Sequence, residues 1–268
     1  MKPAIALFVL TTVALAQDSS PVFEVASIKP ADPAENGTSY NWLNGGGLRV
    51  SGANLRSLIM SAYNIRNFQL SGGPGWVYTE RFNILAKPEH AADESPADFR
   101  KMTDAQRRAA NELLRRRLQA LLAERFQLVL RHETKEMPIY ALVVAKGGAK
   151  MTESKEGDGS SMSTNNTRIT CQRCTMESLA ANLSGITGRT VHDETGLTAK
   201  FDFKMEWAPE PKPAGADRAE GAPAEFASTP EGPTLFTALQ QVLGLKLEPR
   251  KGPVDMYVIE RAEKPSEN

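Results

Sequence analysis

Two cysteines separated by two residues are the side chains in this sequence best suited to covalent chemistry. Cys171 and Cys174 form the segment CQRC between a predicted strand and a predicted helix. In an exported protein such a pair favours a local disulfide, whereas at a helix N-terminus it can be redox-active because the helix stabilises a thiolate. The surrounding sequence does not resemble thioredoxin, and no histidine follows Cys174, which excludes haem attachment. We therefore expect a structural disulfide or plain thiols, with a redox pair as the alternative.

The histidines form no metal-binding pattern. There are three of them, His90, His132 and His192. His132 and Glu133 begin like the HExxH motif of zinc peptidases, but Glu136 occupies the position of the second histidine. The sequence also contains no nucleophile elbow, no phosphate-binding P-loop and no dinucleotide-binding fingerprint. It therefore predicts no catalytic residue, no metal and no cofactor.

Two features are candidates for a binding surface. The segment SGGPGW predicts a tight turn with Trp76 packed beside it, and a ligand could approach the backbone at Gly72 and Gly73. One predicted helix carries several arginines, and a rotation of about 100° per residue places Arg108 and Arg115 on one face. A solvated face is the ordinary interpretation of these arginines. The alternative is that they dock onto an anionic envelope surface or partner.

The elements that would position these residues occur twice along the chain, in the same order. The matching pairs are residues 49–65 with 168–186, 80–87 with 199–207, and 118–146 with 235–264. The first pair predicts a strand and an amphipathic helix, the second an alternating strand, and the third a helix, a strand, a polar turn and a second strand. The apolar faces of the first helices are Leu55, Leu58, Ile59 and Ala62, and Met176, Leu179, Ala180 and Leu183. We predict an α+β fold of two tandem copies of a β-α-β-α-β-β unit, with helices packed on small mixed sheets.

The predicted organisation divides the mature chain into two similar parts. Residues 22–150 form the first copy, residues 151–167 a linker, and residues 168–265 the second copy. The second copy contains a loop, residues 208–233, that is rich in Pro, Ala, Gly and charged residues. We expect this loop to be flexible because it buries too little apolar surface to offset the entropy lost on ordering.

The N-terminus predicts export from the cytosol. Lys2 precedes the apolar run 4–15, and Ala16 ends a small-x-small cleavage pattern, so residues 1–16 are predicted to be a signal peptide. The run is shorter than the roughly 20 residues that a membrane span needs. Lysine and arginine total 32, as do aspartate and glutamate, a balance that argues against a general nucleic-acid binder. We expect a periplasmic or secreted protein with no stable membrane span.

Several segments together resemble a family of exported bacterial proteins of unknown function that is expanded in soil bacteria. These segments are FEVASIKP (23–30), FQLSGGPGW (68–76), ERFNILAK (80–87), and residues 121–148, 195–209 and 235–268. The resemblance implies no catalytic residue. A related domain occurs behind membrane metallopeptidases of the beta-lactam-sensor type, which implies an extracytoplasmic sensing or binding role. The chain is also weakly similar to the short N-terminal domain of secretins and TonB-dependent receptors, a module that contacts protein partners.

These observations favour an exported, non-catalytic binding or sensing module of the bacterial cell envelope. Edge strands and the groove between the two copies would contact an envelope protein or a cell-wall component, in part by strand addition. The alternative is an extracytoplasmic enzyme, either a hydrolase or a thiol oxidoreductase that uses Cys171 and Cys174. A third hypothesis is a structural envelope protein whose arginine-rich helix lies on an anionic surface.

Overall fold

The structure is a computed structural model that describes residues 22–34, 37–88, 98, 101–155, 157, 159–209 and 232–266. The predicted signal peptide, residues 1–16, and all but the ends of the predicted flexible loop, residues 208–233, lie outside the described residues. The described chain combines helices with three four-stranded sheets. The predicted α+β class is therefore confirmed.

The N-terminal half builds one antiparallel sheet and two packed helices. Its elements are β1 (Val25–Pro30), β2 (Ser39–Trp42), β3 (Leu48–Asn54), α1 (Leu55–Tyr63), β4 (Leu70–Gly72), α2 (Trp76–Thr79), β5 (Arg81–Lys87), α3 (Asp104–Arg125) and β6 (Val129–Val144). The first sheet has the order β1-β5-β3-β2, and each neighbouring pair is antiparallel. One face of this sheet packs on α1 and α3, because the apolar residues of both helices recur at steps of three and four.

The C-terminal half builds a second antiparallel sheet of the same size. Its elements are β7 (Thr152–Glu153), β8 (Ser161–Asn165), β9 (Arg168–Cys174), α4 (Met176–Thr187), β10 (Val191–Asp193), β11 (Phe201–Glu206), α5 (Leu235–Ala238) with a π-helical turn (Leu239–Leu243), and β12 (Leu245–Arg261). The sheet order is β7-β11-β9-β8. Residues 151–167, for which the sequence predicts a linker, contribute β7 and β8 to this sheet. Their side chains are mostly small, polar and exposed, so no apolar alternation marks these outer strands in the sequence.

Each sheet encloses its own hydrophobic core. The large, fully buried side chains of the first core are Leu48, Leu55, Leu58, Ile59, Ile84, Leu118, Leu122 and Phe126. Those of the second core include Leu142, Ile169, Met176, Leu179, Leu183, Leu239 and Leu245. The apolar faces predicted for α1 and α4 are confirmed, since every residue in them is buried.

The third sheet, in the order β10-β6-β12-β4, interlocks the two halves. Its centre is an antiparallel ribbon in which β6 and β12 pair along almost their whole lengths. Each outer strand pairs in parallel with the long strand of the other half, β10 with β6 and β4 with β12. The buried side chains cross over in the same way, because Ile259 of β12 packs in the first core and Leu142 of β6 packs in the second. Neither core is complete without a strand from the other half.

The ribbon corrects the predicted end of each repeat unit. The sequence predicts a polar turn and a second strand after each long helix, but β6 and β12 continue without a turn over 16 and 17 residues. The polar segments lie in the middle of the ribbon, where side chains on both faces are largely exposed. The polar residues in the middle of the ribbon reflect exposure to solvent and do not indicate a turn. Pro138 and Pro253 lie within this two-stranded stretch, where a proline is tolerated because it has no further strand to hydrogen-bond.

Candidate functional site

A cavity of about 650 Å³ lies where the two halves meet. We call it the junction cavity. Its walls come from the C-terminal end of α1 and the segment after it, from the middle of α3, and from the C-terminal turn of α4. The lining residues are Trp42, Met60, Ser61, Asn64, Ile65, Arg66, Asn67, Phe68, Asn111, Arg115, Gly185 and Gly188.

The bend after α1 supplies most of the polar lining. The helix ends at Asn64, which adopts the left-handed conformation with φ 52°, a conformation that asparagine tolerates better than most residues. The N–H of Ile65 donates to the carbonyl of Met60 at 3.1 Å, and Ile65 itself is buried. The buried side chain anchors the bend, so its exposed neighbours Asn64 and Arg66 border the cavity.

Arg66 is held in place from both halves of the molecule. Its backbone N–H donates to the Oε1 atom of Gln69 at 2.9 Å, and its Nη2 atom donates to the carbonyl of Ala181 in α4 at 2.6 Å. The Nε2 atom of Gln69 donates in turn to the carbonyl of Asp255 in β12 at 2.9 Å. The bond to Ala181 holds the guanidinium at the junction, and the bond to Gln69 holds the backbone that carries it.

Arg115 supplies a second positive charge from α3. It is half-buried and has no hydrogen-bonding or ionic partner in the part of the chain that the structure describes. Asn111 lies one helical turn earlier and also lines the cavity. The lining therefore presents two guanidinium groups and several amides, and none of the described residues that form it is a carboxylate. Guanidinium groups bind carboxylates and phosphates through paired hydrogen bonds, so the junction cavity is suited to an anionic ligand.

Two aromatic side chains give the cavity an apolar side. Trp42 comes from the edge strand β2, and Phe68 from the 3-10 turn Asn67–Gln69. Both are half-buried, so part of each ring is accessible. A ligand that fits the whole lining would combine a negative charge with an apolar face.

A partly buried ionic contact holds the start of α3 against the second half. Asp104 accepts a hydrogen bond from the Nζ atom of Lys200 and another from the N–H of Gly159 at 3.1 Å. The hydrogen bond from Lys200 holds the pKa of Asp104 below its usual range. The helix begins with a reciprocal capping box between Thr103 and Gln106. These contacts fix the helix that carries Asn111 and Arg115.

The five residues proposed from the sequence as a binding surface lie in different surroundings. Arg115 is the only one of the five that lines the junction cavity, and Arg108 is exposed on the same helix. Gly72 and Gly73 have φ of 79° and 80°. They let β4 approach β12 closely, since a Cβ atom at Gly72 would lie 2.9 Å from the carbonyl oxygen of Ile259. Trp76 packs edge-on against Phe82, with ring centroids 6.4 Å apart.

The cysteine pair lies inside the second half. Cys171 and Cys174 are joined by a disulfide, with Cα atoms 6.0 Å apart, and each is 2% exposed. Residues three apart in a regular strand face opposite sides of a sheet. Here Arg173 has φ 52° and the register with β11 shifts, so both cysteine side chains are buried. A substrate thiol has no access to sulfur atoms in this position.

The remaining titratable residues do not converge on a reactive centre. The Nε2 atom of His132 lies 3.0 Å from the Oδ1 atom of Asp255 on the exposed ribbon, and its ring contacts Tyr257. His192 lies in the edge strand β10, and His90 is outside the described residues. Across the described ranges, no three His, Cys, Asp or Glu side chains are grouped to hold a metal ion. None of the described helices is both long and apolar enough to span a membrane.

Arg66 and Asn111, which line the junction cavity, were not predicted from the sequence. The polar and aromatic segment that contains Asn64, Arg66 and Phe68 directly follows a predicted core helix, and this could have indicated a binding surface. That this run faces α4, more than a hundred residues later, depends on the interlocked third sheet. Short-range periodicity carries no information about such a contact.

Comparison with known proteins gives a family but no characterised relative. No curated protein and no solved structure matches the chain. The sequence model of the family described as a protein of unknown function (DUF3738) matches residues 56–262. This range contains Arg66, Arg115 and Gly185, and it covers most of the chain. The expectation of an uncharacterised family is confirmed, and the chain belongs to the DUF3738 family of proteins of unknown function.

Proposed function

We propose that this protein is an exported, non-catalytic binding module of the bacterial cell envelope, and that it binds a carboxylate-bearing cell-wall component in the junction cavity. The observation that carries the proposal is the lining of this cavity, in which Arg66 and Arg115 face a space that no carboxylate of the described chain lines. The resemblance to exported envelope proteins supports the location.

The two arginines have different roles in the proposed site. Arg66 is preorganised by Gln69 and Ala181, so it loses little conformational freedom when a ligand binds. Arg115 is half-buried and without a partner among the described residues, so a ligand carboxylate would supply the counter-charge that a partly desolvated cation lacks. A hydrogen bond to a charged group contributes about 1.5–3 kcal/mol.

We further propose that the two halves are tandem copies that exchanged their outer strands. The orders β1-β5-β3-β2 and β7-β11-β9-β8 correspond position by position, and β4 and β10 occupy equivalent places in the third sheet. In this interpretation α1 and α4 are equivalent helices, and their C-terminal ends face each other across the junction cavity. Binding at an interface between copies is a common way in which a duplicated fold acquires a site.

The cavity is favoured over the ribbon as the contact surface. The ribbon carries charged pairs along its length, including Arg131 with Glu260 and Lys135 with Glu133. Charged side chains of this kind discourage the addition of a further strand. Strand addition therefore has less support than ligand binding in the junction cavity.

Calorimetric titration of the mature protein tests the proposal. The probes are muramyl dipeptide and digalacturonate, two small carboxylate ligands related to wall polymers. We expect at least one to bind, and we expect Arg115→Gln to weaken it about tenfold or more, because a charge-assisted contact is lost. Arg108→Gln is the matched control, since Arg108 lies on the same helix but does not line the cavity.

Two results would contradict the proposal. One is that neither probe binds the wild-type protein. The other is that Arg108→Gln and Arg115→Gln weaken binding equally, because this would indicate a general charge effect and not a site. If mass spectrometry shows that a probe is chemically converted during the titration, the protein is an enzyme and not a binding module.

A further inference from the structure

A second cavity, of about 630 Å³, lies on the other side of the C-terminal turn of α4. We call it the α4 cavity. Its lining includes Tyr140, Arg189, Phe236, Asn165 and Asn166. It shares Gly185 with the junction cavity, so the two cavities are separated at that point by a residue without a side chain.

The α4 cavity repeats the chemistry of the junction cavity. The guanidinium of Arg189 lies over the ring of Tyr140, 5.4 Å from its centroid, and Phe236 meets the same ring edge-on at 5.6 Å. Phe236 is 41% exposed, which leaves part of its ring accessible. The turn between β8 and β9 supplies the amides of Asn165 and Asn166. Among the residues that the structure describes, no carboxylate lines this cavity either.

Gly185 is not required by the fold at its position. It lies inside α4, where glycine is a poor helix former, and its φ is not positive. Among the described residues, a Cβ atom placed there would meet nothing closer than the Nη1 atom of Arg66 at 3.7 Å, which is ordinary van der Waals contact. Neither backbone conformation nor packing explains the glycine, whereas a ligand that crosses this point would need the space.

We infer that the ligand is a linear acidic saccharide that passes over Gly185 and occupies both cavities. This inference rests on the proposed function and specifies its ligand. Carboxylates on distant sugar rings of one chain would pair with Arg115 in one cavity and Arg189 in the other. The C–H faces of the rings would stack on Phe68 and Phe236, and hydroxyl groups would pair with the asparagine amides. An acidic peptide offers the charges but neither the ring faces nor the hydroxyls.

Chain-length dependence is the measurement that tests the inference. Calorimetric titrations compare digalacturonate, which fills one cavity, with hexagalacturonate, which reaches both. We expect the hexamer to bind about tenfold more tightly or better, because its second contact is intramolecular. A neutral galactan hexamer is expected to bind neither cavity measurably.

Two substitutions address the second cavity directly. Arg189→Gln removes its cation, and Gly185→Leu places a side chain between the cavities. Each is expected to bring the ratio of the dimer and hexamer dissociation constants from about ten towards one, while Arg108→Gln keeps the wild-type ratio. Thermal unfolding of each variant verifies that it is folded.

The possible outcomes separate this inference from the proposed function. Equal affinities for dimer and hexamer overturn the inference and leave the junction cavity as a site. Tighter binding of hexaglutamate than of hexagalacturonate also overturns it, because the occupant would then be an acidic peptide. Binding of muramyl dipeptide without binding of either galacturonate overturns the saccharide assignment alone, whereas failure of all the probes overturns the proposed function as well.

Discussion

The two halves have the same strand order but different second helices. In the N-terminal half, α3 spans 22 residues from Asp104 to Arg125 and leads into β6. In the C-terminal half, α5 begins at Leu235 after its N-cap Thr234 and ends in a short π-helical turn before β12. When the helices are aligned at their ends, the part of α3 that carries Asn111 and Arg115 has no counterpart in α5. Asn111 and Arg115, which line the junction cavity, thus lie on a local extension of α3, whereas Arg66 follows the shared helix α1.

The halves also differ in what stabilises them. The first core contains an aromatic cluster, in which Phe126 is fully buried and contacts Phe82 edge-on with ring centroids 5.4 Å apart. The second core is mainly aliphatic, and a disulfide between Cys171 and Cys174 lies beside it. The comparison indicates that one topology accepts different packing solutions, provided that both halves contribute to the third sheet.

The largest expected effect comes from the centre of the first core. Phe126→Ala should lower the free energy of unfolding by about 3–5 kcal/mol, because it removes a large buried ring and leaves a cavity. Since Ile259 and Leu142 link each core to the opposite half, the whole protein should unfold in one transition. Urea unfolding followed by circular dichroism and by tryptophan fluorescence provides the measurement.

Leu243→Ala, in the second core, is the companion variant for this experiment. It should lower the free energy of unfolding by about 2–5 kcal/mol, and unfolding should again occur in a single transition. If unfolding instead shows two transitions and each variant shifts only one of them, the halves unfold independently. The contacts between the halves would then contribute little to stability.

Loss of the disulfide should have an intermediate effect. Reduction is expected to lower the free energy of unfolding by about 2 kcal/mol, a modest amount because the bond closes a very short loop. Urea unfolding with and without dithiothreitol provides the comparison. A thiol reagent should find no reactive cysteine in the native protein before reduction. Rapid labelling of the native, unreduced protein would instead support the redox interpretation of the CQRC segment.

The smallest expected effect comes from Asp104, which joins α3 to the second half. Its pKa is lowered by the hydrogen bond from Lys200, so it stabilises the folded protein above its unfolded pKa of about 3.9, and this contribution is lost as the pH falls through the lower folded value. Asp104→Asn should cost no more than about 1 kcal/mol near neutral pH.

The pH dependence separates this contact from a general charge effect. In urea unfolding, the difference in the free energy of unfolding between the wild type and Asp104→Asn should become smaller as the pH is lowered from about 7 to about 3. Glu112→Gln, which removes an exposed ion pair with Arg116 on the same helix, is the control and should show a smaller difference. Equal pH profiles for the two variants would indicate that Asp104 has no special role.

The helices and strands were more predictable from the sequence than the elements with which they pair and pack. The helical spacing of Leu58 and Ile59, and of Leu179 and Leu183, identified the buried faces of α1 and α4. The ribbon was not predictable in this way, because its exposed middle has the same polar composition as a turn. The site was partly visible, since Arg115 was singled out from the sequence, whereas Arg66 depends on a contact with Ala181 that only the completed fold creates.

The pairing of strands from both halves in the third sheet has a consequence for the order of folding. Ile259 lies close to the C-terminus and packs in a core that otherwise comes from the first 128 residues. The first core therefore remains incomplete until β12, more than a hundred residues after the rest of that core, has been synthesised. A chain with such sequence-distant contacts folds slowly. Deletion of β12 alone should leave both hydrophobic cores incomplete.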